Sequence, residues 1–308
     1  MKNKKIFLTA ALMMSFVLTA CGSKPTQIYN FASGREGGMY YEYSNLLNGF
    51  ITADEPKMNV MVLATAGTDA NLTLISDDIV DFAIVQNNMI QKDIEEGKEI
   101  DYSAVSALYI EACQIVVSED SDISTVADLA GKRVSVGEAE SGTLITAEHV
   151  LSSEGLTFED MTTYNLTYAD SVQALKDGDL DAFFLVAGTP TSVIKDLCDE
   201  ADIRFVSLSS DEIASITGNY SGYCEYTIPG GIYTGVDEDT LVLGVKAILI
   251  AADDVPADTV EDMLGVLYDH KDDMNALLNS DVLSYEFGSE DLPIELHEGA
   301  KTFFDNIR

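Results

Sequence analysis

Two stretches of the chain read as the same unit written twice. Residues 71–86, NLTLISDDIVDFAIVQ, and residues 172–188, VQALKDGDLDAFFLVAG, each carry a helix-like run, an acidic turn and a short apolar run that opens onto a polar loop. The loop residues are Gln86, Asn87 and Asn88 in the first copy and Gly188, Thr189 and Pro190 in the second. Apolar runs of strand length alternating with amphipathic helix-length stretches are the pattern of an α/β architecture with buried, largely parallel strands. The same alternation runs through most of the sequence, predicting strands at 28–32, 59–64, 82–85, 113–117, 133–136, 182–186, 204–207 and 242–250. The last run contains Lys246 and is too short to cross a bilayer, which takes about 20 apolar residues. In open α/β sheets a ligand sits beyond the carboxyl ends of the strands. A duplicated helix-turn-strand unit therefore predicts two lobes facing one cleft.

The start of the chain belongs to targeting rather than to the fold. Lys2, Lys4 and Lys5 precede an apolar segment from Ile6 to Val17 and the sequence Leu18-Thr19-Ala20-Cys21, which reads as a bacterial lipobox. Residues 1–20 are expected to be a lipoprotein signal peptide, with Cys21 the lipidated first residue of the mature chain and residues 21–27 a tether. Two or more acyl chains, at roughly 0.8 kcal/mol per buried CH₂, hold a protein stably on a membrane where one does not. The expected location is extracytoplasmic, on the cell membrane.

Charge narrows the partners. Without the first 20 residues the chain keeps 14 basic and 53 acidic residues, a net charge of −39 spread along 288 residues. Nucleic acid is excluded as a partner, since a duplex needs a basic footprint. An anionic membrane surface is repelled as well, so lipid rather than charge provides attachment. Besides Cys21 there are three cysteines, Cys113, Cys198 and Cys224, without metal-like spacing; buried free thiols are the expectation.

Three strand-to-helix junctions carry ligand-binding chemistry. The first runs from Gly34 to Tyr41 and holds Arg35, Gly38 and Tyr40. The second offers Thr65, Gly67, Thr68 and Asn71, and the third Ser141, Gly142 and Thr143. Helix starts leave backbone N–H groups without intrahelical partners and favour anions. Arg35 could add a bidentate clamp, or pair with one of the many acids. None of these loops has the spacing of a phosphate loop. Together they suit a small carboxylate.

Other constellations carry no chemistry. Asp177, Asp179 and Asp181 imitate the opening of a calcium loop, but Ala182 and Gly188 stand where its glycine and glutamate are required. His149, His270 and His297 lack metal spacing. No nucleophile elbow is present, so no catalytic residue, metal or cofactor is assigned.

Read in order along the chain, the motifs resemble the solute receptors of the TAXI branch of TRAP transporters. The likeness runs through Gly37-Gly38-Met39-Tyr40, Thr65-Ala66-Gly67-Thr68, Ala107-Leu108-Tyr109, residues 128–134, Ser141-Gly142-Thr143, Gly188-Thr189-Pro190 and residues 296–300. The resemblance implies a type II periplasmic-binding-protein fold, two α/β lobes with a ligand cleft between them. Its crossings would fall near residues 111–117 and 223–229, making 28–112 and 226–308 lobe 1 and 113–225 lobe 2. It further implies capture of an amino acid such as glutamate or glutamine, or of a dicarboxylate, and delivery to a TRAP membrane permease. By position it adds Gln86, Asn87, Gly188, Pro190 and Tyr233 to the ligand contacts. Glu138 and Glu140 depart from the family pattern; turned into the cleft they would favour a ligand with an ammonium group, although surface exposure is the expectation. The alternatives are the binding lipoprotein of an ATP-driven importer or sensor system, or an enzyme using the same cleft.

Overall fold

The structure, a computed structural model, describes residues 27–55 and 57–307. The leader and the lipidation site Cys21 lie outside the described residues. The chain opens with β1 (Ile28–Ala32), α1 (Met39–Asp54), β2 (Asn59–Leu63), α2 (Thr68–Ser76), β3 (Phe82–Gln86), α3 (Asn87–Glu95) and the long β4 (Tyr102–Ser118). It continues through β5 (Arg133–Ser135), α4 (Gly142–Ser153), β6 (Thr162–Tyr164), α5 (Tyr168–Lys176), β7 (Ala182–Gly188) and α6 (Ser192–Glu200). Then come β8 (Ile203–Phe205), α7 (Ser210–Asn219), β9 (Tyr223–Ile228) and a second long strand, β10 (Thr240–Ala252). Helices α8 (Ala257–Asp269), α9 (Lys271–Leu277), α10 (Tyr285–Ser289) and α11 (Glu298–Ile307) close the fold.

The duplicated unit has a counterpart in strand pairing. β1 lies parallel between β2 and β3, and β5 lies parallel between β6 and β7. Each trio is then flanked by one antiparallel long strand, β10 beside β3 and β4 beside β7. The two long strands pair with each other and join both halves into one hydrogen-bonded sheet, the arrangement of a periplasmic-binding-protein fold. β4 alternates its side chains between two cores, as the period of two requires. Ile115 and Val117 pack with Val134, Ala147 and Phe184, while Ala112 and Val116 pack on the opposite side.

The passage between lobes at β4 begins pairing with β7 at Glu111. The second passage differs from the expected crossing at 223–229. That segment is β9, laid antiparallel on the first half of β10, and it is β10 itself that travels from β9 to β3. The reason is local: Gly230 donates its N–H to the Asp239 carboxylate at 2.8 Å, folding residues 229–239 back as a loop.

An aspartate anchors each copy of the repeated unit. Asp81 accepts the N–H of Asn30 on β1 at 2.6 Å, and Asp181 accepts the N–H of Arg133 on β5 at 2.7 Å. The geometry is shared but the electrostatics are opposite. Burial raises the Asp81 pKa, whereas the Arg133 guanidinium, at 2.6 Å from Asp181, lowers that of Asp181. A carboxylate with a depressed folded pKa gives stability that is complete above its unfolded value, about 3.9, and is lost as the pH falls through the folded value. The pair is partly exposed and screened by solvent, so Asp181→Asn is expected to destabilise the protein at pH 7 by only about 0.5–1 kcal/mol, a difference that shrinks below pH 4 in urea titrations.

Candidate functional site

Three helices begin on the same hollow because each follows a parallel strand whose carboxyl end faces the space between the lobes. α1 starts after Gly38 and α2 after Gly67, neither with a side-chain cap. Gly67 has φ +119°, a conformation that a side chain would strain. α4 starts after Ser141, whose hydroxyl is spent on the fold: it donates to the Glu138 carbonyl at 2.7 Å and accepts from Leu144 N–H at 3.4 Å. The cavity they surround has a volume of about 50 Å³, room for three to five waters at roughly 10–15 Å³ each. The closed lobes thus leave space for a small solute.

Nine of the expected site residues line this cavity. Arg35, Gly38, Tyr40, Gly67, Thr68 and Gln86 come from the β1, β2 and β3 side, and Ser141, Gly142 and Thr143 from the β5 side. Arg35 does not offer a free clamp. Its guanidinium grips Glu138 across the cleft, Nη2 to Oε1 at 2.8 Å and Nε to Oε1 at 3.0 Å. Glu138, expected on the surface, instead faces the cavity, while Glu140 is exposed and bridges the lobes with its backbone carbonyl, which accepts Ala70 N–H at 3.2 Å.

The remaining expected residues serve as supports around the cavity rather than as its lining. Asn71 is buried and donates to the carbonyls of Ser33 and Ile84, at 2.7 and 2.8 Å, while accepting the Thr65 hydroxyl at 2.6 Å. Asn87 begins α3 beneath the site. Gly188 ends β7 where a Cβ would stand 2.6 Å from Leu278 and 2.9 Å from Tyr109. Thr189 and Pro190 follow it, and the Tyr233 hydroxyl is held between Thr191 N–H and Gln114 Oε1, each at 3.0 Å.

Two polar lining residues were not expected at the site, Glu111 and Tyr168. Tyr168 opens α5 and hydrogen-bonds the Thr143 hydroxyl at 2.8 Å and the Val186 carbonyl at 3.0 Å. Glu111 lies in β4 where the lobes meet and is 2% exposed. Its Oε2 accepts from Gln86 Nε2 at 2.7 Å and from the Tyr40 hydroxyl at 3.3 Å. Since Tyr40 donates there, Thr68 donates to Tyr40 at 3.2 Å and in turn accepts Gln86 N–H at 3.2 Å. Burial pushes the Glu111 carboxyl up to about 8 against these donors. The only sequence signal for it was a single acid inside the apolar run 107–117.

A sequence model of the NMT1-like family matches residues 31–307, nearly all of the described chain. The chain belongs to the NMT1-like family. Among solved structures, this NMT1-like chain is similar to a protein of Bordetella bronchiseptica RB50, with 16% identity, TM-score 0.54, and 91% of this chain and 98% of that one covered. It is similar to the substrate-binding protein of an amino acid ABC transporter at 13% identity and TM-score 0.51, over 82% of this chain and 99% of that one. It is also similar to the alkanesulfonate-binding protein SsuA of Xanthomonas axonopodis pv. citri bound to MOPS, at 16% identity and TM-score 0.50, over 82% and 78%. These likenesses establish the periplasmic-binding fold of the NMT1-like chain. They also correct the family named from loop motifs: the match is to the NMT1-like family, with ABC-type and sulfonate-binding proteins as neighbours, and the TAXI assignment with its TRAP permease is withdrawn.

Proposed function

We propose that this protein is the extracytoplasmic solute receptor of an ABC-type importer, capturing a small amino acid or related organic anion and presenting it to a membrane permease. The observation that carries the reading is the small cavity between two lobes, surrounded by the starts of α1, α2 and α4 and bridged by Arg35 and Glu138. Backbone N–H groups at three helix starts suit an anionic group. An enclosed hollow formed by both lobes suits capture by closure, because only a ligand touching both lobes stabilises the closed form. The amino acid and sulfonate binders among the fold neighbours favour the same class of solute. A lipid on Cys21 would hold the receptor at the membrane face where the permease waits.

Melting of the mature protein tests this reading. A screen of amino acids, C4 to C6 dicarboxylates and small sulfonates is expected to contain solutes that raise the melting temperature without being consumed. At free solute near 100 times Kd the gain is about 2.7 kcal/mol, or roughly 5–11 °C at about 2–4 °C per kcal/mol. A screen in which no solute shifts the melting curve contradicts the proposal, and turnover of any solute points to an enzyme.

A further inference from the structure

We propose that Glu111 is the acceptor for the ammonium group of the solute, so that the cleft selects amphoteric solutes, small amino acids or aminosulfonates, over plain organic acids. The inference rests on the receptor reading and narrows its substrate class. Glu111 lines the cavity from the strand where the lobes meet, and both of its hydrogen bonds fall on Oε2. Beside it, the Gln86 amide gives its Nε2 to that carboxylate, while its Oε1 is buried without a hydrogen-bond partner. A buried carboxylate, beside an amide oxygen that packs against Gly142 without a hydrogen-bond partner, thus lines the same cavity as the starts of three helices. A carboxylate acceptor and helix-start N–H groups around one cavity are complementary to a molecule with a cation and an anion a few bonds apart.

Among the described residues no cation pairs with Glu111. The ionisable groups that face it are the phenols of Tyr40 on α1, Tyr109 on its own strand and Tyr168 on α5. Arg35, the one cationic side chain among the described residues that line the cavity, is committed to Glu138. A buried carboxylate in such surroundings holds either a proton or an external cation. With its pKa raised to about 8, Glu111 carries a proton in the empty protein at pH 6.5. An arriving ammonium group keeps its own protons and displaces that one to solvent. Binding therefore releases up to one proton at pH 6.5; at pH 9.5 Glu111 is already ionised and releases none, while the partly deprotonated amine of the solute takes up a proton to bind as ammonium, so the proton linkage reverses sign.

The experiment compares matched pairs: L-alanine with propionate, L-serine with L-lactate, L-glutamate with glutarate, and taurine with ethanesulfonate. Affinities are measured by calorimetry at pH 6.5 in two buffers of different ionisation enthalpy. The ammonium-bearing member of at least one pair is expected to bind about 100-fold or more tightly than its partner at pH 6.5, as for other buried charge pairs, with proton release there that gives way to proton uptake at pH 9.5. Glu111→Gln is expected to remove both the preference and the released proton. Equal affinities within every pair that binds, or a preference that survives Glu111→Gln, overturns the assignment of Glu111 while leaving the receptor reading intact. Binding of an amino acid by the wild-type protein without proton release overturns it too, whether or not the variant folds. Silence from all eight compounds overturns the receptor reading together with this one.

Discussion

Gly142→Ala is expected to weaken solute binding about 100-fold while leaving the unliganded protein as stable as before or slightly more so. A Cβ at Gly142 would stand 2.0 Å from Gln86 Oε1 and 2.6 Å from its Cδ, on the opposite lobe. A flexible side chain could normally swing aside. Gln86 is 3% exposed and its Nε2 is bound to the buried Glu111 carboxylate, so moving it breaks a charge-assisted bond in a closed space. Overpacking and the broken hydrogen bond together cost about 3 kcal/mol, which is roughly 100-fold in affinity. With the lobes apart the methyl meets nothing from the other lobe, and Gly142 has no positive φ that alanine would resist. As the first residue of α4, it should even favour the helix. Calorimetry would show the lost affinity and thermal melting the unchanged unliganded protein. An unchanged affinity would mean that the lobes do not close through this contact.

Asn71→Ala is expected to show the reverse pattern, a large loss of stability. Asn71 is fully buried and ties three pieces of lobe 1 together: Ser33 at the end of β1, Ile84 in β3 and Thr65 in the loop before α2. Its removal leaves buried carbonyl groups short of donors. Three hydrogen bonds at about 1 kcal/mol each make the cost roughly 3 kcal/mol, a fall in melting temperature of about 6–12 °C. Circular dichroism melting of the unliganded variant checks this. A variant that melts like the wild type but no longer binds would return Asn71 to the ligand-contacting set.

The contrast between Gly142 and Asn71 shows what could be read from residues alone. The repeated helix-turn-strand unit was legible because its signals are local: apolar periodicity, an acidic turn, and an aspartate just before each buried strand. The three glycine- and hydroxyl-rich helix starts were legible for the same reason, and the fold gathers them around one cavity. Which polar side chains face that cavity was not, because a helix start exposes its N–H groups to a ligand while its side chains can turn back into the protein. Asn71 lies one turn inside α2 on the face toward β3, where two strand carbonyls claim it. Ser141 caps its own helix, and Thr143 is taken by Tyr168.

Glu111 and the second crossing were hidden for a different reason, since both depend on long-range pairing. Within residues 107–117 a single acid says nothing about what it faces; β3 and α1 bring Gln86 and Tyr40 to it from other parts of the chain. Likewise, residues 223–229 read as a plausible connection, whereas pairing with β10 makes them a strand. Arg35 and Glu138 are separated by 103 residues, and only closure of the lobes makes them partners.

The central claim is that a small solute is captured inside the hollow shared by the two lobes. A crystal structure of the mature protein, grown with whichever amino acid raises its melting temperature most, tests this directly. The account predicts density for that solute between α1, α2 and α4, its anionic group within hydrogen-bond reach of their first N–H groups, beneath an Arg35–Glu138 bridge. Solute bound on the outside of either lobe, with the hollow holding only water, would contradict it.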